Sequence, residues 1–243
     1  MCVCHSPRLK SPQVQLLKLF NMNMVSVLSC LTLVLAAAAA QEPRPCVVPP
    51  LMSGGFTVMA ASGLVMSSGD ISYDALGQRM RVRNVGLIGN QTFTLDQLLI
   101  FNQNVYYEID WMRASCKKLP LDSTFIPMQV PPDAKLVGQA FLGSSSSWGS
   151  SLLVNTWQGA LAQNGQYTVV FTEIGCIPVT FNGFTPASGW TTISTFNWVL
   201  GNTDPMEYVP PPICANAKLE ESETAHTFFT ALESLAMKTI EEE

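Results

Sequence analysis

The chain has 243 residues, of which 47% are hydrophobic and 13% charged, with seven cysteines and two histidines. Beyond residue 40 it carries ten Lys and Arg against eighteen Asp and Glu, a net charge of about −8. No basic stripe exists to release counterions from phosphates, which argues against a nucleic-acid partner.

Arg8, Lys10 and Lys18 precede the apolar run MVSVLSCLTLVLAAAAA, which ends in small residues at Gln41. This is the arrangement of a secretory signal with an Ala-x-Ala cleavage site. A retained membrane anchor and a buried core helix compete with it, but the run sits at the short limit for a span and no stop-transfer pattern follows. Residues 1–40 are therefore read as the signal, 41–215 as one β domain, and 216–243 as an acidic C-terminal tail. The signal takes Cys2, Cys4 and Cys30 with it. Cys46, Cys116, Cys176 and Cys214 remain, an even count that reads as two disulfides in an oxidising compartment, with three connectivities open. No CxxC pair or His-rich cluster suggests zinc.

Strand signals then follow in order. ISYDALGQ and RMRVRNV form a hairpin over residues 70–85 around Gly77, with Arg79, Arg81 and Arg83 on one face and Met80 and Val82 on the other. The arginines could meet an anionic headgroup; the alternative is a solvated strand face. Asn90-Gln91-Thr92 is the single N-glycosylation sequon. VYYEIDWM, QYTVVFTEI and TTISTFNWVL have the β-branched and aromatic bias of strands. From Leu136 to Thr203 the only charged residue is Glu173, which suits neutral sheets with one face toward something apolar. Asn164-Gly165 between two such runs is a hairpin signal. Segments 120–135 and 204–212 are Pro-punctuated loops or edges, because proline cannot donate to a ladder. In the tail, Ala225, Phe228, Phe229, Leu232, Leu235 and Ala236 recur at helical spacing.

Catalytic constellations are sparse. The only histidine beyond the signal is His226, in the tail, so a Ser-His-Asp or Cys-His arrangement would have to recruit a residue outside the core. Glu108 and Asp110 share a strand phase and are the acid/base candidates, against the plainer reading of a solvated face. The usual nucleotide, metalloprotease and EF-hand signatures are absent. The chain is read as a non-enzyme.

PRPC at Cys46, SYDALGQRMRVR, YYEID followed by Cys116, VPPDA, the region of Trp157, YTVVFTEIGCIPV and DPMEYVPPPIC occur in the order seen in ependymins and mammalian ependymin-related proteins, over roughly residues 43–216. The sequence thus resembles that family. The resemblance implies a secreted, disulfide-linked glycoprotein, extracellular or lysosomal. It also implies two stacked, curved antiparallel sheets forming a half-open barrel, like bacterial lipoprotein carriers, around an apolar pocket. Carried over, the family's bridges join Cys46 to Cys176 and Cys116 to Cys214. The family's third bridge is missing at both ends, with Gly89 or Asn90 near its first site and no tail cysteine. Pairing through a sheet surface into a homodimer is a further implication.

The function expected first is binding of a lipid or other hydrophobic small molecule between the sheets, where burial is worth about 25 cal/mol per Å². The candidate lining is the inward strand phase: Met80, Val82, Ile109, Trp111, Val154, Trp157, Val169, Phe171, Phe196 and Trp198, each of which could equally be ordinary core. No cofactor is required. The second expectation is an extracellular-matrix or cell-adhesion glycoprotein with calcium as a possible ligand, which would need six to eight converging oxygens.

Overall fold

Runs of β-branched and aromatic residues broken by Gly, Asn and Pro make strands and tight turns, and in the computed structural model nearly every such run is a strand. The structure describes residues 24–33, 42–60, 63–121, 124–144, 146, 149–161, 164–186, 189–201 and 204–220. The chain divides into two units, Met1–Arg44 and Pro45–Glu243. The first contains a helix over residues 24–33 whose residues are all exposed.

The second unit is two antiparallel meanders. One comprises β1 (Leu51–Ala60), β2 (Val65–Asp74), β3 (Arg79–Ile88), β4 (Gln91–Ile100), β5 (Val105–Asp110) and β6 (Ser115–Pro120). The other comprises β7 (Lys135–Gly143), β8 (Ser151–Leu161), β9 (Gly165–Thr172), β10 (Pro178–Thr185) and β11 (Gly189–Leu200). The mostly antiparallel β architecture expected from the sequence is present, but the two-sheet description needs correcting. β1 pairs with β11 from Met52↔Leu200 to Met59↔Thr192, so the meanders form one eleven-stranded sheet in the order β6-β5-β4-β3-β2-β1-β11-β10-β9-β8-β7. The sheet does not close, because β6 and β7 are its two ends.

Turn chemistry fixes the hairpins. Asp74 and Arg79 face each other at the end of β2 and β3, Gln78 takes a left-handed φ of 51°, and the Asp74 carboxylate accepts the Gly77 N–H at 2.7 Å. Asn164, at φ 60°, leads directly into Gly165 of β9, the left-handed conformation that Asn tolerates and β-branched residues do not.

β6 and β7 are consecutive in sequence yet lie at opposite ends of the sheet, and residues 124–134, between them, run along one side of it, the inner face. Phe125 stacks on Tyr73 of β2 at 6.0 Å and meets Phe101 edge-on at 5.3 Å. Farther along, Val47 pairs with Gln129. The Val48 N–H donates to the Met128 carbonyl at 3.1 Å and the Val130 N–H to the Cys46 carbonyl at 2.9 Å. The Pro-rich loop is thus half of a short ribbon, and Cys46 bonded to Cys176 ties that ribbon to the turn between β9 and β10.

The core lies mainly on this inner face. Phe56, Val58, Val65, Ile71, Val82 and Ile193 form one cluster. Met52, Tyr73, Val130, Trp157, Val169 and Phe171 form a second, and Met80, Phe181 and Trp198 pack against both. A smaller cluster sits on the outer face, where Tyr208 and Cys214 cover Leu98, Tyr107 and Ile109. The covering segment consists of two 3-10 turns, Pro205–Tyr208 and Pro212–Cys214, and Cys116 bonded to Cys214 fastens it to β6. Of the amphipathic tail helix expected over 216–243, residues 221–243 lie outside the described residues; Leu219 pairs in parallel with Lys118 at the β6 edge.

Candidate functional site

Strand register decides which candidate residues share a surface. Met80 and Val82 lie opposite Tyr73 and Ile71, and Trp157 lies opposite Val169, which with Phe171 belongs to the inner phase. Trp198 completes this set, so six of the ten expected lining residues share the inner face: Met80, Val82, Trp157, Val169, Phe171 and Trp198. Four do not. Ile109 lies opposite Asp96 and is buried on the outer face with Tyr208. Val154 pairs with Thr172, one step out of phase with Trp157. Trp111 is in the β5–β6 turn, 54% exposed. Phe196 is shifted by an irregularity in the β1–β11 ladder: Ser53 faces Val199 but Gly55 faces Phe196. The extra residue on β11 is accommodated beside Asn197, at φ 55°, so Phe196 and Trp198 fall on opposite faces although they are two residues apart.

The inner wall is aromatic rings laid over glycine. A Cβ at Gly54 would stand 2.7 Å from the Trp198 ring, and one at Gly159 2.5 Å from the Tyr167 ring, so glycine is what lets each ring lie flat. The Trp198 N–H donates to the Pro178 carbonyl at 3.1 Å, and the Tyr73 hydroxyl accepts from the Met128 N–H at 3.1 Å. Other polar atoms on this wall have no such partner. Trp157 Nε1, Tyr167 OH, Asn84 Oδ1 and Gln97 Oε1 are buried without a hydrogen bond, on residues only 2–6% exposed. Burial pushes the Tyr167 phenol above its ordinary value, and the Asp133 carboxylate adds to the shift. Tyr167, Asn84 and Gln97 were not among the expected lining. Tyr167 was legible, being two residues before Val169 on the same strand; a search for apolar residues passes over Asn84 and Gln97.

The arginine row is not a plain solvated face: Arg81 is buried, Arg79 and Arg83 are partly exposed, and all three have carboxylate partners. Arg81 is 7% exposed and grips Asp96 through two bonds, Nε at 2.9 Å and a terminal nitrogen at 2.8 Å, while its other terminal nitrogen donates to the Glu207 carbonyl at 3.1 Å. The Trp111 N–H adds a third bond to Asp96 at 2.6 Å. Arg79 pairs with Asp74 and lies over the Tyr208 ring at 4.7 Å, and Arg83 pairs with Glu207. Each cation meets a carboxylate, and together they clamp the 205–208 turn onto the outer face. Beside it, Arg83, Glu207, Asp70, Asp204 and Phe196 line an open depression of about 430 Å³.

Asp110 is occupied as a turn former, accepting the Met112 and Arg113 N–H groups at 3.0 Å each, and Glu108 lies opposite Lys117. Among the described residues no three His, Cys, Asp or Glu side chains are grouped to hold a metal, and no helix is long and apolar enough to cross a membrane. Asn90 is exposed in the turn between β3 and β4.

The family profile for ependymin matches residues 89–214. Ependymin-2 of Carassius auratus is 33% identical over 205 residues, spanning 84% of this chain and 94% of its own. Ependymin of Notemigonus crysoleucas is 33% identical over 204 residues, with the same shares. A crystal structure of an uncharacterized conserved protein from Thermus thermophilus aligns with a TM-score of 0.47 at 9% identity, over 79% of this chain and 99% of that one.

Proposed function

This chain belongs to the ependymin family, and from that premise we propose that it is a secreted, non-enzymatic glycoprotein that holds a lipid or other hydrophobic molecule against the inner face of its sheet. The observation that carries the proposal is the character of that face: aromatic and aliphatic side chains from both meanders, with buried polar atoms that the protein itself leaves unpaired. Buried polar groups are almost always satisfied, so a cluster that is not calls for a partner from outside the chain. Secretion is supported by the N-terminal apolar run, by two disulfides that need an oxidising compartment, and by a sequon whose Asn90 is exposed.

The test is organic extraction of the protein purified from culture medium, followed by mass spectrometry. The proposal expects an amphiphile in near-stoichiometric amount, absent from a control protein purified the same way. A ligand-free protein whose association or conformation changes with calcium would instead favour a matrix-adhesion role.

A further inference from the structure

Resting on that reading, we infer that the molecule held on the inner face is an uncharged long-chain amphiphile, an ester or amide, whose carbonyl oxygen accepts hydrogen bonds from Trp157 and Tyr167. Trp157 is opposite Val169 and Tyr167 opposite Gly159, so the two residues are diagonal neighbours on one face of adjacent strands, a spacing within reach of aromatic side chains. Trp157 is 3% and Tyr167 6% exposed, and neither Nε1–H nor O–H has a partner. An indole nitrogen is donor only. Two buried donors on diagonal residues of adjacent strands call for an acceptor from outside the chain, and leaving each unmet is unfavourable by more than a satisfied bond would gain.

Charge selects the class of acceptor. A carboxylate or phosphate would need a cation to offset its desolvation. Arg79, Arg81 and Arg83 are on the outer face, each with a carboxylate of its own. Among the described strand residues the only cation in the inner phase is Lys117, exposed on edge strand β6. The charge that does act on Tyr167 is negative, from Asp133. Toward the other end of the face, Asn84 Oδ1 and Gln97 Oε1 present acceptors, which also repel an anion. A neutral carbonyl satisfies the donor pair without importing charge.

The test uses the full secreted protein after delipidation and four probes sharing one C18 chain: oleoyl ethanolamide, methyl oleate, sodium oleate and octadecene, with binding followed by intrinsic fluorescence. The amide and the ester are expected to bind about tenfold or more tighter than octadecene, and tighter than oleate at neutral pH. Tyr167→Phe, which removes one oxygen, and Trp157→Phe should each erase most of that margin, read as the ratio of amide to octadecene affinity within the same variant. Octadecene binding as tightly as the amide, oleate binding tightest, or a margin intact in both variants overturns the inference and leaves the binding role standing. Failure of all four probes to bind removes both.

Discussion

Replacing Arg81 by Met would leave the Asp96 carboxylate, 2% exposed, with the Trp111 N–H as its one remaining side-chain donor where it now has three. Breaking a buried ion pair from one side typically destabilises by about 3–5 kcal/mol, because the surviving charge keeps its desolvation penalty and loses its compensation. At about 1.4 kcal/mol per tenfold, a loss of 4 lowers the folding constant by nearly three powers of ten. Total stabilities lie at about 5–15 kcal/mol, so the variant would be marginal. It would also release the Glu207 carbonyl, loosening the 205–208 turn from the sheet. Urea unfolding followed by tryptophan fluorescence measures the loss as a lowered midpoint at unchanged slope. The double variant Arg81→Met with Asp96→Leu removes both charges and should recover most of the loss. A single variant within 1 kcal/mol of the parent, or a double variant no better than the single, would show that the pair behaves as an exposed one and refute the reasoning.

A Cβ at Gly69 would overlap the Arg83 backbone carbonyl, so Gly69→Ala should destabilise by about 3 kcal/mol or more through strain in the β2–β3 ladder, read as reduced yield and a lowered urea midpoint. Replacing Cys116 and Cys214 by Ser opens a crosslink spanning 98 residues and should lower the unfolding free energy by about 2–5 kcal/mol. Burial raises the phenols of Tyr73, Tyr106 and Tyr167 above 10.0. Their contribution to stability is fully present below that pH and is lost as pH climbs from it toward the folded values, because unfolded phenols ionise first. Phenolate absorbance against pH, with and without urea, checks this. Asn90→Gln should remove a glycan, seen as a single step down in the mass of the secreted protein, with folding unaffected.

Strand existence was legible because β-branched and aromatic runs bounded by Gly, Asn and Pro leave little choice of local structure. Facing was legible only where one side of a strand meets water. β9 alternates, with Tyr167, Val169 and Phe171 buried on one phase, and the period of two assigned it correctly. β5 opens with Val105, Tyr106 and Tyr107 all buried, since the inner core takes Tyr106 while the Tyr208–Cys214 cover takes its neighbours. A strand buried on both faces carries no alternation to read, and Ile109 was assigned to the wrong side.

Phase can also be carried from one strand to the next by counting through the turns, and this is where the inner face becomes predictable. Ile88 pairs with Gln91 across a two-residue turn, and Ile100 with Val105 across four. Both counts are even, so Met80 on β3 leads to Leu99 on β4 and Tyr106 on β5, the odd residues of β5 being left outside. The same counting breaks at β11, where one additional residue at Asn197 reverses the phase partway along the strand. Asn is among the few non-glycine residues that tolerate its left-handed backbone, but an Asn inside TTISTFNWVL marks a bulge no more strongly than it marks an exposed polar position. On either side of the bulge, Phe196 lies over Gly55 on the outer face and Trp198 over Gly54 on the inner. The two rings thus clad both sides of the seam where the two meanders join. Deleting Asn197 would make Phe196 and Trp198 neighbours in a regularly alternating strand, with Phe196 still opposite Gly55 on the outer face and Trp198 opposite Gly54 on the inner, so the bulge matters only because Asn197 stands between the two rings.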